Sequence, residues 1–412
     1  MMPEMTSDNR KKFIIVFNGE AHSEGCVSGG TRITIESSKI LKEKGVFDFM
    51  TICSREAALL CKKCGFDNQF LIWDEKVFTK KHEILNILES IIKPIVLIWQ
   101  NRKKMRHEDI IVLSQSDFLY DVLPALFIKL LNWNSMLVAA CYLLAPTPFK
   151  GYKFYWSKIP KLLFPDVRLL TYWLGQRVSF LFIGLFADKL LVADESDGRR
   201  IAGWGINKDK ILAVGGGVET EKIDKTSPND KINFDGVYVG RMHPQKGILE
   251  LVDIWKGVVE KIPTAKLAVI TDGKNSYAEK VFKKIKDYNL EQNIQIVWYI
   301  DFEEKYTFLK SCKIYITPEM YGDGGLATVE AMACGLATIT SDNPAIRSML
   351  PTGRFEVPLN DIKAFSNGVV TLLKDEVLRK EYSALAKSAT KDWDWNTRTE
   401  RIYEFISKPP RY

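Results

Sequence analysis

Along the chain, short unbroken apolar runs alternate with stretches whose apolar residues recur at helical spacing. The first run is Phe13–Phe17; a loop with Gly25, Gly29 and Gly30 follows, then Ile33, Ile35, Ile40 and Leu41 up to a stop at Gly45. Further runs lie at Phe47–Cys53, Ile110–Leu113, Leu137–Tyr142 and Lys189–Ala193. A run that is apolar at every position, not at every second one, predicts a strand buried on both faces of a parallel sheet. The same alternation restarts at Gly236–Val239 and continues through Lys266–Thr271, Ile294–Trp298, Ile314–Thr317 and Ala337–Thr340, with helices at Ile248–Lys261 and Ser276–Tyr288. A turn-rich, charged stretch, Glu219–Asn233, separates the two series. The pattern predicts two doubly wound α/β domains, ended by an amphipathic helix over Lys391–Ile406.

Composition narrows this only slightly. The chain has 412 residues, 46% hydrophobic and 26% charged, which excludes wholesale disorder, a fibrous rod and a small disulfide scaffold. Lys and Arg exceed Asp and Glu by 58 to 51, a net charge of +7 that fits a face meeting phosphate or anionic lipid but is no nucleic-acid signature by itself. The seven cysteines are odd in number and scattered, which reads as reduced cytosolic thiols; Cys61 and Cys64 simply share a helix face. Met1–Lys12 lacks the apolar core of a signal peptide. Two apolar stretches, Leu130–Phe149 and Val178–Ala187, have uninterrupted cores too short for a bilayer and predict a buried strand and a buried helix.

Ligands of doubly wound sheets bind beyond the carboxyl ends of the strands, so the residues just after the strands carry the chemistry. After Val239 comes Gly240-Arg241-Met242-His243-Pro244-Gln245-Lys246-Gly247. A guanidinium fork and an ammonium in a loop opening a helix can hold a diphosphate, although such a turn alone is also what a solvated loop looks like. After Thr317 comes Pro318-Glu319-Met320-Tyr321-Gly322-Asp323-Gly324-Gly325-Leu326, opening a helix that contains Glu330. Its backbone N–H groups would face an anion. Glu330 sits among small apolar residues, where a carboxylate needs a polar partner such as ribose hydroxyls; the alternative is a surface glutamate.

The two motifs, in this order and at this separation, resemble those of the retaining glycosyltransferases of family 4, the glycosyl transferases group 1. The resemblance is strongest over Tyr238–Ser341 and extends to Asp188–Ala193, Gly215–Glu219 and Trp395-Asn396. It implies the GT-B fold: an acceptor-binding domain over residues 1–220, joined by a returning helix at about 395–412, and a donor domain over 221–394, facing each other across a cleft. It further implies a nucleotide-sugar donor whose diphosphate is held by Arg241 and Lys246, with Glu330 on the ribose. Gly324, Gly325 and Leu326 would approach the donor, Gly29 and Gly30 the phosphates or acceptor, and Asp272, Gly273 and Tyr299 the base. No metal or other cofactor is expected, and Asp392-Trp393-Asp394 matches a metal-binding D-x-D only as a string.

Two departures from the family pattern stand out. The glutamate usual eight positions before Glu330 is Gly322 here; Asp323 is the neighbouring acid that could replace it, and Glu319 is a second candidate. A histidine frequent at the end of the fourth apolar run is Tyr142 here, and the loop after Ile110–Leu113 has Asp117, which would orient an acceptor hydroxyl or cap the next helix. The loss of the first glutamate would also suit a catalytically weak member that binds nucleotide sugar and supports a partner, whereas Arg241, Lys246 and Glu330 favour an active one. Phe149–Arg177 interleaves Lys150, Lys153, Lys158 and Lys161 with aromatics such as Tyr155 and Trp156. That mixture suits an anionic membrane and a glycan or polyprenyl-phosphate-linked acceptor, the alternative being a packed helical excursion. Nucleic acid is not expected as a partner. The implied location is the cytoplasm, at the membrane face.

Overall fold

The computed structural model describes residues 11–18, 28–74, 83–105, 109–152, 167–271, 276–298, 300, 302–322 and 325–409. The chain forms two compact units: residues 1–148, 165–216 and 395–412, and residues 149–164 with 217–394.

In the first unit, seven parallel strands run β1 (Lys11–Phe17), β2 (Phe47–Ser54), β3 (Gln69–Trp73), β4 (Ile110–Ser114), β5 (Met136–Cys141), β6 (Lys189–Val192) and β7 (Ile211–Ala213), in the order β3-β2-β1-β4-β5-β6-β7. Central Ile14 lies level with Met50 on one side and Val112 on the other, and all three are fully buried. The helices are α1 (Gly29–Glu43), α2 (Arg55–Lys63), α3 (Glu83–Gln100), α4 (Leu119–Leu131), α5 (Val167–Phe186) and α6 (Glu195–Ala202). The chain winds outward from β1 to β3, then returns through β4 to β7. Right-handed crossovers therefore put α1 and α2 on one face of the sheet and α3, α4 and α5 on the other, where α4 packs beside both α3 and α5.

The second unit repeats the plan with β8 (Phe234–Val239), β9 (Leu267–Thr271), β10 (Ile294–Trp298), β11 (Cys312–Thr317), β12 (Ala337–Ser341) and β13 (Phe355–Val357), in the order β10-β9-β8-β11-β12-β13. Its helices are α7 (Thr220–Lys225), α8 (Ile248–Val259), α9 (Ser276–Asp287), α10 (Phe302–Lys310), α11 (Gly325–Ala333), α12 (Pro344–Met349), α13 (Ile362–Lys374) and α14 (Glu376–Ala389). Trp255 of α8, fully buried, shares one core cluster with Ile254, Ile314 and Ile316. The last helix, α15 (Trp395–Ser407), leaves this unit and packs on α1 of the first.

Two sequence expectations change. Strands β3, β7 and β13 were not among the expected runs: Phe70–Trp73 and Ile211–Val214 are unbroken apolar runs that were passed over, whereas β13 has three residues with Glu356 at its centre. The stretch 178–187 is no short buried helix. It is the second half of the 20-residue α5, which sends Phe180 and Ile183 into the core while Leu181 and Leu185 stand 66% and 76% exposed.

Candidate active site

The loop after β8 is shaped by its neighbours. Tyr238 is buried, and its hydroxyl would lie 2.5 Å from a side-chain carbon at position 240, so only glycine fits there. Gly247 closes the loop with φ of +66°, and a side chain on it would run into the Pro318 carbonyl at 2.1 Å. Gln245 O accepts from Met320 N (2.9 Å) and Tyr321 N (3.3 Å), so the basic loop and the glycine-rich loop are joined by backbone bonds. His243 caps the turn Pro244–Lys246 within the basic loop, its Nδ1 accepting from Gln245 N at 3.3 Å. Burial first, then the charges of Arg241 and Lys246, lower the His243 pKa to about 4, so its ring is neutral at pH 7.

Lys246 Nζ donates to Glu319 Oε1 at 2.7 Å, and the Glu319 side chain is fully buried. Gln245 Nε2 reaches the same oxygen at 3.4 Å, while Asn343, the N-cap of α12, donates to the Glu319 carbonyl at 3.2 Å. The ammonium also lies 3.6 Å from where a side chain on Gly325 would begin, at the first turn of α11. One cation thus sits beside a helix N-terminus, where the backbone already favours an anion. Arg241 is exposed, and no carboxylate among the described residues pairs with it.

Gly322, at the place of the usual glutamate, has φ of +104°, and a side chain there would start 2.7 Å from Gln245 Nε2 and 2.9 Å from Glu319 Oε1. A glutamate therefore cannot simply be restored. Gly322→Glu is expected to destabilise the protein by about 1–3 kcal/mol, from backbone strain and from carboxylate repulsion with Glu319. Urea unfolding would measure it; unchanged stability would contradict the geometry.

Glu330 is buried on α11 and takes a 2.6 Å ion pair from Lys305 of α10. Tyr306 OH lies 3.4 Å from Glu330 and donates to Glu219 Oε2 at 3.0 Å. The polar partner its setting demanded is thus at least in part a lysine. Lys305, Tyr306 and Asn343 had gone unnoticed in the sequence: a lysine on an amphipathic helix carries no signal, whereas Asn343-Pro344 is a helix-start signal that could have been found. Thr271, which ends β9, is buried with its hydroxyl unpartnered, immediately before the position proposed for the base.

In the first unit, Gly30, Asp117 and Tyr142 follow β1, β4 and β5 at the carboxyl ends of the strands. A side chain on Gly30 would strike the Tyr142 ring at 2.3 Å, so this glycine has a packing reason to be there; Gly29 has open space. Burial pushes the Tyr142 hydroxyl up to about 12, which leaves it a hydrogen-bonding phenol at neutral pH. Asp117 does not cap α4, whose N-cap is Phe118. It is buried and accepts from Gln176 Nε2 at 2.8 Å.

Burial raises the Asp117 pKa to about 6, against the opposing pull of Gln176. Below about pH 4 the group is protonated whether the chain is folded or not. Between about 4 and 6 the unfolded chain releases its proton first, so stability falls as pH rises, and the full cost stands above 6. Asp117→Asn is expected to be more stable than the parent by about 1–3 kcal/mol at pH 7.5 and equal to it near pH 4. Unfolding curves at the two pH values would test this; a gain that does not depend on pH would refute it.

Asp272, Gly273, Tyr299, Asp323, Gly324, Lys153, Tyr155, Trp156, Lys158 and Lys161 lie outside the described residues. Before them, Lys150 is half-buried, and Tyr152 sets its ring 5.0 Å from that of His243 and 5.7 Å from that of Tyr321. The start of this segment thus packs on the two joined loops.

The family model "Glycosyl transferases group 1" matches residues 219–392. That stretch contains both loops, Lys305 and Glu330. Over 178 residues, 42% of its length, the chain is 29% identical to the phosphatidyl-myo-inositol mannosyltransferase of Mycobacterium leprae. Over 184 residues, 41% of the chain, it is 28% identical to the UDP-Gal:alpha-D-GlcNAc-diphosphoundecaprenol alpha-1,3-galactosyltransferase of Escherichia coli. Each match spans 46% of the relative, so the chain covers about half the length of these curated proteins. The whole chain superposes on Anabaena HepE in complex with UDP and glucose, with a TM-score of 0.72 at 13% identity, covering 97% of this chain and 100% of the other. The chain therefore has the GT-B fold.

Proposed function

We propose that the protein is a retaining glycosyltransferase that moves a sugar from a nucleotide-diphosphate donor to a glycan or lipid-linked acceptor without a metal. The observation that carries this reading is the Lys246 ammonium held beside the N-terminus of α11 with Arg241 in the same loop. These fixed positive groups suit the diphosphate, whose charge grows as the bond to the sugar breaks. Arg241 offers a bidentate fork and Lys246 a point charge oriented by Glu319. The acceptor oxygen attacks the anomeric carbon from the face that the diphosphate leaves, and its proton passes to the departing phosphate. The protein supplies orientation and charge stabilisation. Support for a lipid-linked acceptor comes from the relatives, two of which are named for lipid-linked acceptors. A cytoplasmic site of action accords with such acceptors.

The test is a thermal-shift screen against UDP, GDP, ADP and their sugars in the presence of EDTA. A ligand bound only by the folded protein raises its melting temperature. A shift with one nucleotide, larger with one of its sugars, is the expected result. No shift with any of them at millimolar concentration would overturn the donor site.

A further inference from the structure

The outer face of the α3–α5 layer carries an apolar surface that the sheet does not bury. On α3, Leu85, Leu88, Ile92, Val96 and Trp99 are all exposed and recur every three or four residues, which places them on one stripe. On α5, Leu174, Val178, Leu181 and Leu185 do the same. The opposite sides of these helices feed Ile98, Phe180 and Ile183 into the core. Both stripes belong to the helical layer on one face of the first sheet. A surface of this extent on a folded unit marks an interaction site.

Charge says what it meets. α5 contains arginine but no acid, and the one described carboxylate within the α3 stripe region, Glu89, is paired with Lys93. At the end of α3, Arg102 stacks on Trp99 at 4.7 Å, and Lys103 and Lys104 are exposed. On α5, Arg177 lies 3.7 Å from the Trp204 ring and 5.1 Å from that of Trp173. Cations beside tryptophans at the margin of an apolar face are what an interface between lipid head groups and acyl chains selects. A second copy of this face would set cation against cation, whereas anionic lipid neutralises them. Although α5 is long and apolar enough to cross a membrane, it is the crossover between β5 and β6, and its inner side is part of the core. It cannot leave the sheet, so it lies along the surface.

We propose that the first unit docks on anionic bilayers through this face, with the α3 and α5 stripes entering the head-group region and Arg102, Lys103, Lys104 and Arg177 contacting lipid phosphates. The proposed face shares Leu174 and Arg177 with the Phe149–Arg177 stretch expected from the sequence and adds α3 and the rest of α5. The inference goes beyond the donor reading and does not depend on it, because none of these residues belongs to the donor loops.

The experiment is co-sedimentation of the full chain with phosphatidylcholine vesicles, with and without about 30% phosphatidylglycerol. The parent is expected to pellet with the anionic vesicles and to be released as salt rises. Leu181→Glu/Leu185→Glu should reduce partitioning by about tenfold or more, because two exposed leucines lose their apolar insertion. Lys103→Glu/Lys104→Glu should reduce only the preference for anionic over neutral vesicles. All these positions are exposed, so melting temperatures should match the parent, and that match makes the vesicle result interpretable. A parent that stays in solution, or variants that bind as the parent does, would overturn the proposal. So would light scattering that shows a dimer dissolved by the leucine variants without vesicle binding, since the face would then join two copies.

Discussion

Replacing Lys246 by alanine is expected to lower sugar transfer by about 10²–10³-fold and to cost about 3–5 kcal/mol of folding stability. The two losses have different origins. Transfer falls because a positive charge near the departing diphosphate is gone. Stability falls because Glu319, fully buried, keeps its carboxylate but loses the ammonium at 2.7 Å. Gln245 at 3.4 Å is a weak substitute, and the Glu319 side chain is fully buried, away from water. The double variant Lys246→Ala/Glu319→Gln separates the effects. It removes the buried negative charge left without its lysine and should recover most of the stability while transfer stays low. Urea unfolding and initial rates on the three proteins decide the matter. Recovery of transfer in the double variant would mean that Lys246 only neutralises Glu319. Full stability in the single variant would mean that the pair is not buried as described.

The central strands of both sheets were legible in the sequence because a strand covered on both faces has to be apolar throughout, as Ile14, Val16 and Ile316 are. Edge strand β3 carries the same signal in Phe70–Trp73 and was missed, although half its side chains meet solvent in the fold. In the site, the cations and the glycines were visible as residue types, but their reasons were not. Gly30 makes way for the Tyr142 ring, and Gly247 for the Pro318 carbonyl, both contacts between segments far apart in sequence. The Lys305–Glu330 and Lys246–Glu319 pairs are likewise long-range. Periodicity reports which face of an element is buried; it carries no information about which charge from another element meets it there. Glu319 shows this best. From its place before the loop it looked the lesser candidate, and the fold puts it against Lys246.

Arg241 provides the sharper test of the diphosphate assignment, because its removal should leave the fold untouched. It is exposed, and among the described residues no carboxylate pairs with it, so Arg241→Ala should change stability by less than about 0.5 kcal/mol. Transfer should nevertheless fall by about 10²–10³-fold, the cost of one group aimed at charge that develops in the transition state. Arg241→Lys should recover only part of this, since an ammonium keeps the charge but lacks the planar fork. His243 supplies an independent reading of the local field. Its pKa is held to about 4 by burial first and then by the two cations, so losing one of them should move it upward. Burial remains, so it should stay below the ordinary 6.5. A titration of the His243 ring signals by NMR in parent and variant would follow that shift. An Arg241→Ala protein with parental rates would remove this residue from the diphosphate site. A variant that loses transfer with His243 unmoved would place the guanidinium away from the loop it is thought to charge.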